Sequence, residues 1–311
     1  MLAKVSSFAL LGLEGKRIEV ETDISKGLPA YDVVGLPDTA VKESRERVRS
    51  AVKNAMLLFP SNKITVNLAP ADLKKEGSGL DLAIAICILK ASGQVKNAFE
   101  DTIFFGELAL DGTLRAVRGI LPLLISARNS GYKKFVLPKA NEKEASYLGD
   151  VEVYAAETLS QTVAFLNGEQ EILPTPQTQY AAPLGESNPY EADLRFVKGQ
   201  ILAKRAIEVA VAGGHNLLMV GPPGSGKTML AKCIPTVMPD MTFEEALEVT
   251  KIHSVAGVLD AETGIANRRP FRTPHHTATT VALTGGGTHT PTFPYPLWAP
   301  ILTRTSIRRI P

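Results

Sequence analysis

Cysteine and tryptophan are scarce in this chain, which has two cysteines, Cys87 and Cys233, and a single tryptophan, Trp298. The cysteines lie far apart in apolar stretches, with no Cys or His at metal-ligand spacing. That argues against a disulfide framework and a structural zinc site, and for two buried thiols in a reducing cytosol. Long apolar runs are also missing. The most apolar stretch, LDLAIAICIL (Leu80–Leu89), opens on Asp81 and is well short of the ~20 residues that span a bilayer. The N-terminal MLAKVSSFALLGLEGKR has a short apolar patch and no A-x-A-like cleavage site. The expectation is a soluble, cytoplasmic protein with no membrane partner. Charge is nearly balanced, with 34 Lys and Arg against 32 Asp and Glu for a net charge of +2, which excludes a polycation that coats nucleic acid. One absence is local: after Glu262 there is no Asp or Glu at all.

What is present fits about two domains, since 311 residues with 44% hydrophobic side chains can bury real cores. QEILPTPQTQYAAPLGESNPY (residues 170–190) carries four prolines in polar surroundings without apolar periodicity, and reads as a linker. Before it, residues 1–169 mix strands and helices. RIEVETDI alternates as a half-buried strand. A helix runs from Thr39 to about Ala55, with Asp38 as N-cap and Val41, Val48, Val52 and Ala55 as its apolar stripe. KITVNLAP reads as a strand and LDLAIAICILKASG as an apolar helix. IFFGELALDGTLRAV reads as a hairpin turning at Asp111-Gly112 through positive φ angles. LLISARNSG is a helix ending at Gly131, and KKFVLP resumes as a strand. The fold class is α/β, with an α+β first domain built on a mixed sheet.

Past the linker, GPPGSGKT matches G-x-x-x-x-G-K-[ST] across Gly221, Pro222, Pro223, Gly224, Ser225, Gly226, Lys227 and Thr228. The apolar NLLMV before it suits a buried strand, and TMLAKCI after it is helical. Glycines let backbone N–H groups turn inward around a β-phosphate, and the following helix directs its positive end there. Lys227 would neutralise phosphate oxygens of ATP, and Thr228 would offer its hydroxyl to Mg2+. A glycine-rich turn arising by chance between strand and helix is the alternative, and the ordered context argues against it. A helix from about Gln200 to Ala212 ends at Gly213-Gly214 upstream.

The stretches VGLPDTAVKESRERVRSAVKNA, FPSNKITVNLAPADLKKEGSGLDLAIAI, FGELALDGTLRAVRGILP, KGQILAKRAIEVAVAGGHNLLMVGPPGSGKTMLAK and RRPFRTPHHT resemble the YifB/ComM family of Mg-chelatase subunit I-like AAA+ ATPases. The resemblance implies a Lon-protease-like domain in 1–169 and the N-terminal part of a P-loop AAA+ α/β module in 191–287, with Phe196–Gln200 near the adenine. It further implies ATP and Mg2+ as cofactors, a hexameric homo-oligomer, and DNA as partner in natural transformation or recombination. A metal-chelatase motor subunit and a nucleotide-dependent scaffold without turnover are the other readings.

A peptidase would need a nucleophile and a base. Ser78, in a glycine loop, is the candidate serine. Laid over the Lon pattern, however, the nucleophile's place falls nearer Gly79 and the dyad lysine's place at Leu121; Lys74 and Lys75 are the nearby lysines. A solvated serine in a non-proteolytic domain is the expectation. The mixed-sign run VKESRERVRSAVK reads as a solvated helix face or a DNA-facing stripe. Arg269, Arg272, His275 and His276 sit on a loop without Cys, Asp or Glu near, so they read as a nucleic-acid contact or a structural loop rather than a metal site.

The family resemblance calls for a strand ending in paired carboxylates, the Walker B element, beyond this point. VAGVLDAE (Val255–Glu262) is its nearest approximation, interrupted by Gly257 and placed before RRPFRTPHH. Residues 288–311, proline- and arginine-rich, read as an aberrant tail, frame-shifted or truncated, with a genuine divergent end as the alternative. The expectation is a nucleotide cradle without its hydrolytic half.

Overall fold

The computed structural model describes residues 1–97, 99, 101–181, 192–260, 262–272 and 301–302. They fall into two units: residues 1–180 with 250–266, and residues 181–249 with 267–311.

The first unit is organised by a helix with no polar side. α2 (Asp81–Ala91) has every residue from Asp81 to Leu89 buried, as a helix apolar all round requires. It packs on a seven-stranded sheet of order β3-β4-β2-β1-β5-β8-β9. Those strands are β1 (Leu2–Leu11), β2 (Glu14–Ser25), β3 (Ala30–Val34), β4 (Lys63–Ala69), β5 (Thr102–Phe104), β8 (Lys134–Pro138) and β9 (Glu152–Ala156). β2 pairs antiparallel with both β1 and β4, and the remaining neighbours pair parallel, so the sheet is mixed as expected.

Period-two alternation divides the strands between two cores. Phe104 and Val136 join the cluster containing α2 and α1 (Thr39–Asn54), while Ile103, Phe105, Phe135 and Leu137 join the cluster containing α3 (Ile120–Asn129). Asp38 caps α1 by accepting from the Val41 amide at 2.7 Å, and Val41, Val48 and Val52 are its buried stripe. β6 (Glu107–Leu108) and β7 (Leu114–Arg115) form the expected hairpin. Only Gly112 takes positive φ there, at 89°. Asp111 contributes differently: its carboxylate accepts from the Thr113 amide and hydroxyl at 2.9 and 2.7 Å. α4 (Glu142–Ala145) and α5 (Leu159–Leu166) complete the unit's first stretch.

The stretch 170–190, expected as a linker, is seated on the first unit over its first half. Ile172 is buried, the Thr175 amide donates to the Val153 carbonyl at 2.8 Å, and the Thr178 amide donates to that of Ser146 at 2.8 Å. Residues 182–190 lie outside the described residues.

The second unit holds α6 (Ile201–Ala212), α7 (Lys227–Cys233), the start of α8 (Phe243–Ala256) and a two-residue strand β10 (Phe271–Arg272), paired with Ile301–Leu302. Leu194, Val197, Ile207, Leu230, Cys233 and Ile234 form its core. The segment NLLMV is not a strand. Leu218 and Val220 are exposed at 81% and 85%, and among the described residues no strand lies beside them to take up their amides and carbonyls. Apolar character alone cannot supply a ladder partner. The described residues of VAGVLDAE form no strand either: Val255 and Ala256 end α8, and Gly257 turns.

Candidate functional site

The phosphate-loop sequence forms a glycine turn leading into α7. Gly224 and Gly226 take φ of 80° and 83°, the left-handed region where a side chain is strained. Gly226 is the residue before the helix, so the turn delivers Lys227 to the first helical position. Leu230, one turn on, is buried with Cys233 and Ile234 beside Ile207 of α6, which anchors α7 while the loop faces outward. Lys227 Nζ donates to the carbonyls of Gly221 and Pro222, each at 2.8 Å, and to Ser225 Oγ at 3.2 Å. An ammonium has three protons, so the loop encloses its own cation. Anionic oxygens are stronger acceptors than these carbonyls and the hydroxyl, and the ammonium is placed to exchange one set for the other. Thr228 is exposed beside it, its hydroxyl available to a hydrated metal. Upstream, Asp193 caps the turn Leu194–Phe196, and the Arg195 guanidinium stacks over the Phe196 ring at 4.7 Å.

The sequence grouped Arg269, Arg272, His275 and His276. Arg269 is committed internally: it pairs with Glu245 at 2.8 Å and donates to the carbonyls of Pro239 and Asp240 at 2.7 and 3.3 Å. Its side chain is 12% exposed, so it orders the start of α8. Arg272 ends β10, and His275 and His276 lie outside the described residues. No helix among the described residues is long and apolar enough to cross a membrane.

The peptidase candidates are separated by their partners. The Ser78 hydroxyl donates to the Glu107 carboxylate. Lys74 pairs with Glu76 at 2.7 Å on the surface. Lys75 is wholly buried, donates to the Gly35 carbonyl at 2.9 Å and to that of Pro70, and its pKa is lowered by burial. Both lysines are thus engaged away from Ser78. At the places the Lon pattern indicates, Gly79 has Val117 so near that a methyl group would lie 3.0 Å from its Cγ1, and Leu121 is a buried leucine. Ser78 therefore has neither Lys74 nor Lys75 as a dyad partner.

Sequence reading missed two buried carboxyls. Asp81 is held by Arg47, and burial lifts its pKa to about 6 while the guanidinium pulls it back. Glu144 is raised by burial to about 7. In the sequence Asp81 is only the charge on which an apolar run opens, and the mixed charges of α1, including its partner Arg47, are the available signal.

Two family models match the chain. "Subunit ChlI of Mg-chelatase" matches residues 20–141, and "Magnesium chelatase, subunit ChlI" matches residues 193–294. The chain is 43% identical over 290 residues to the competence protein ComM of Haemophilus influenzae, covering 92% of this chain and 56% of that protein. It is 45% identical over 288 residues to YifB of Escherichia coli, covering 92% and 55%. A Lon protease of Leptospira interrogans is 27% identical over 141 residues, 44% of this chain and 16% of that one. The chain spans about half the length of the curated relatives ComM and YifB. With ChlI matches on both sides of the proline-rich stretch and this identity along its length, the chain belongs to the Mg-chelatase ChlI-related family that includes ComM and YifB.

Proposed function

We propose that this chain is the nucleotide-binding part of an AAA+ ATPase of the ComM/YifB type, a motor that processes DNA, and that it binds ATP with Mg2+ through Gly221–Thr228. The observation that carries the reading is the self-enclosed Lys227 ammonium in a left-handed glycine turn. Opening that turn onto a triphosphate replaces neutral acceptors with charged ones. Thr228 would then hold the metal, and Phe196 and its neighbours would lie against the base. The relative named a competence protein supports DNA as partner. Assembly as a hexameric ring and a cytoplasmic location belong to the same reading, which rests on family likeness for both.

Hydrolysis is a separate matter. The reading is tested first at nucleotide binding and second at turnover. Titration with a fluorescent ATP analogue tests the first part: Mg2+-dependent binding that Lys227→Ala weakens at least ten-fold, the loss of one charge-assisted phosphate contact of about 1.5–3 kcal/mol. Phosphate release that Lys227→Ala abolishes would support the second.

Both family descriptions name Mg-chelatase, which favours a chelatase motor as the second reading. Salt-sensitive binding to DNA separates the two, because phosphate contacts release counterions. A nucleotide-dependent scaffold would assemble with ATP yet show no turnover in a full-length relative.

A further inference from the structure

Residues 250–266 belong to the first unit, and backbone contacts seat them there. The Gly119 amide donates to the Ser254 carbonyl at 3.1 Å, and the Tyr147 hydroxyl to that of Thr263 at 3.1 Å. Gly257 lies against the Arg118 guanidinium, and Gly264 against the backbone joining Lys143 to Glu144. Methyl groups on these glycines would sit 2.9 and 2.7 Å from the nearest atoms. Beside these contacts lies a half-open pocket of about 230 Å3, lined by Val117, Arg118, Asn141 and Glu144 on one side and by Ser254 and Leu259 on the other.

Glu144 is the chemical centre of that cavity. It is 7% exposed and accepts from the Leu121 amide at 3.1 Å. Asn141 is turned to Val117, accepting from its amide at 2.8 Å and donating to its carbonyl at 2.9 Å. Ser254, 4% exposed, presents its hydroxyl from the segment's side. Burial lifts the Glu144 carboxyl to about 7, and Ser254, Leu121 and Asn141 draw it back only in part.

Several charged groups lie around it. Arg128 of α3 donates to the Gly149 carbonyl, Lys139 pairs with Glu142, and Glu152 of β9 accepts from Tyr154. Arg118 lies along Gly257, and Lys143 precedes Glu144 on α4. The segment itself brings Lys251, His253, Asp260 and Glu262. Burial and neutral hydrogen-bonding groups, rather than any of these charges, set the Glu144 proton affinity.

We propose that residues 250–266 form a latch, seated on the first unit while the Glu144 carboxyl is protonated and released when it ionises. The protonated carboxyl satisfies the cavity as a neutral group. The carboxylate is an anion largely removed from water, and lifting the segment hydrates it.

Hydrogen exchange on the full chain at pH 6 and pH 8, normalised for intrinsic rates, tests this, with α2 peptides as the internal reference. A carboxyl near its ordinary 4.5 when released and about 7 when seated predicts that latch protection falls about ten-fold over this interval. Glu144→Gln keeps a neutral acceptor and flattens the profile, while His253→Gln leaves it unchanged. Equal wild-type protection at both pH values would overturn the proposal. So would a fall that persists in Glu144→Gln or disappears in His253→Gln. Should Glu144→Gln not fold, Ser254→Ala decides the matter. It weakens latch protection more at pH 8 than at pH 6, because the hydroxyl favours the ionised carboxyl, and equal weakening overturns the proposal.

Discussion

The guanidinium of Arg47 on α1 forks onto both carboxylate oxygens of Asp81 in the first turn of α2, at 2.7 and 3.0 Å. Asp81 also accepts from the Leu108 amide at 3.3 Å, and Arg47 donates to the Ala40 carbonyl at 3.0 Å. One ion pair thus ties two helices and the β6 strand together. Arg47→Ala leaves Asp81, 1% exposed, as an uncompensated buried charge. The expected loss is about 3–5 kcal/mol, read from urea unfolding followed by circular dichroism. A smaller loss in Arg47→Ala/Asp81→Asn than in Arg47→Ala alone identifies the stranded charge as the cause.

The same carboxyl gives a pH dependence with a definite sign. Its folded pKa of about 6 lies above the ordinary 3.8, so the folded state binds this proton more tightly. Its contribution is greatest in acid and is lost as pH rises through about 4 to 6. Asp81→Asn removes that slope. Unfolding midpoints compared at pH 4.5 and 6.5 read it directly, and an unchanged slope in the variant contradicts the assignment.

Gly226→Ala tests the loop geometry without touching Lys227. A methyl group there finds its nearest neighbour, Met229, at 3.6 Å, so space is sufficient, but φ of 83° disfavours any L side chain. The cost, about 1 kcal/mol, falls on the turn that delivers Lys227. Nucleotide affinity drops several-fold while the far-ultraviolet spectrum is unchanged. Wild-type affinity would show that the left-handed turn is dispensable to binding.

Ser78→Ala removes a hydroxyl whose partner is Glu107. With Lys74 and Lys75 engaged elsewhere, casein remains intact with either form of the protein, and stability changes by about 1 kcal/mol or less. Casein cleavage lost in the variant would restore the peptidase reading.

Much of this was legible along the chain. The Asp38 cap, the Val41, Val48 and Val52 stripe, the alternation of β2, and the glycines of the phosphate loop each depend on residues within a turn or two of one another. The candidate site was legible for the same reason: a phosphate loop is a local device. Arg269 was legible as a basic residue but not as the partner of Glu245, 24 positions earlier. The apolar NLLMV was read as a strand from composition, and a strand depends on a neighbour that composition does not contain.

By itself the sequence determined the Asp38-capped helix with its apolar stripe, the alternation of β2, the glycine turn and the family, because periodicity and backbone preference act over short separations. Only the tertiary structure decided which charges are buried. Arg47 meets Asp81 across 34 positions, and Lys75 reaches the Gly35 carbonyl across 40. It also decided that residues 250–266 close over Glu144 in the first unit. The reason is dielectric: a side chain's charge has a fixed identity in the sequence, but its energy depends on how much water the rest of the fold leaves around it.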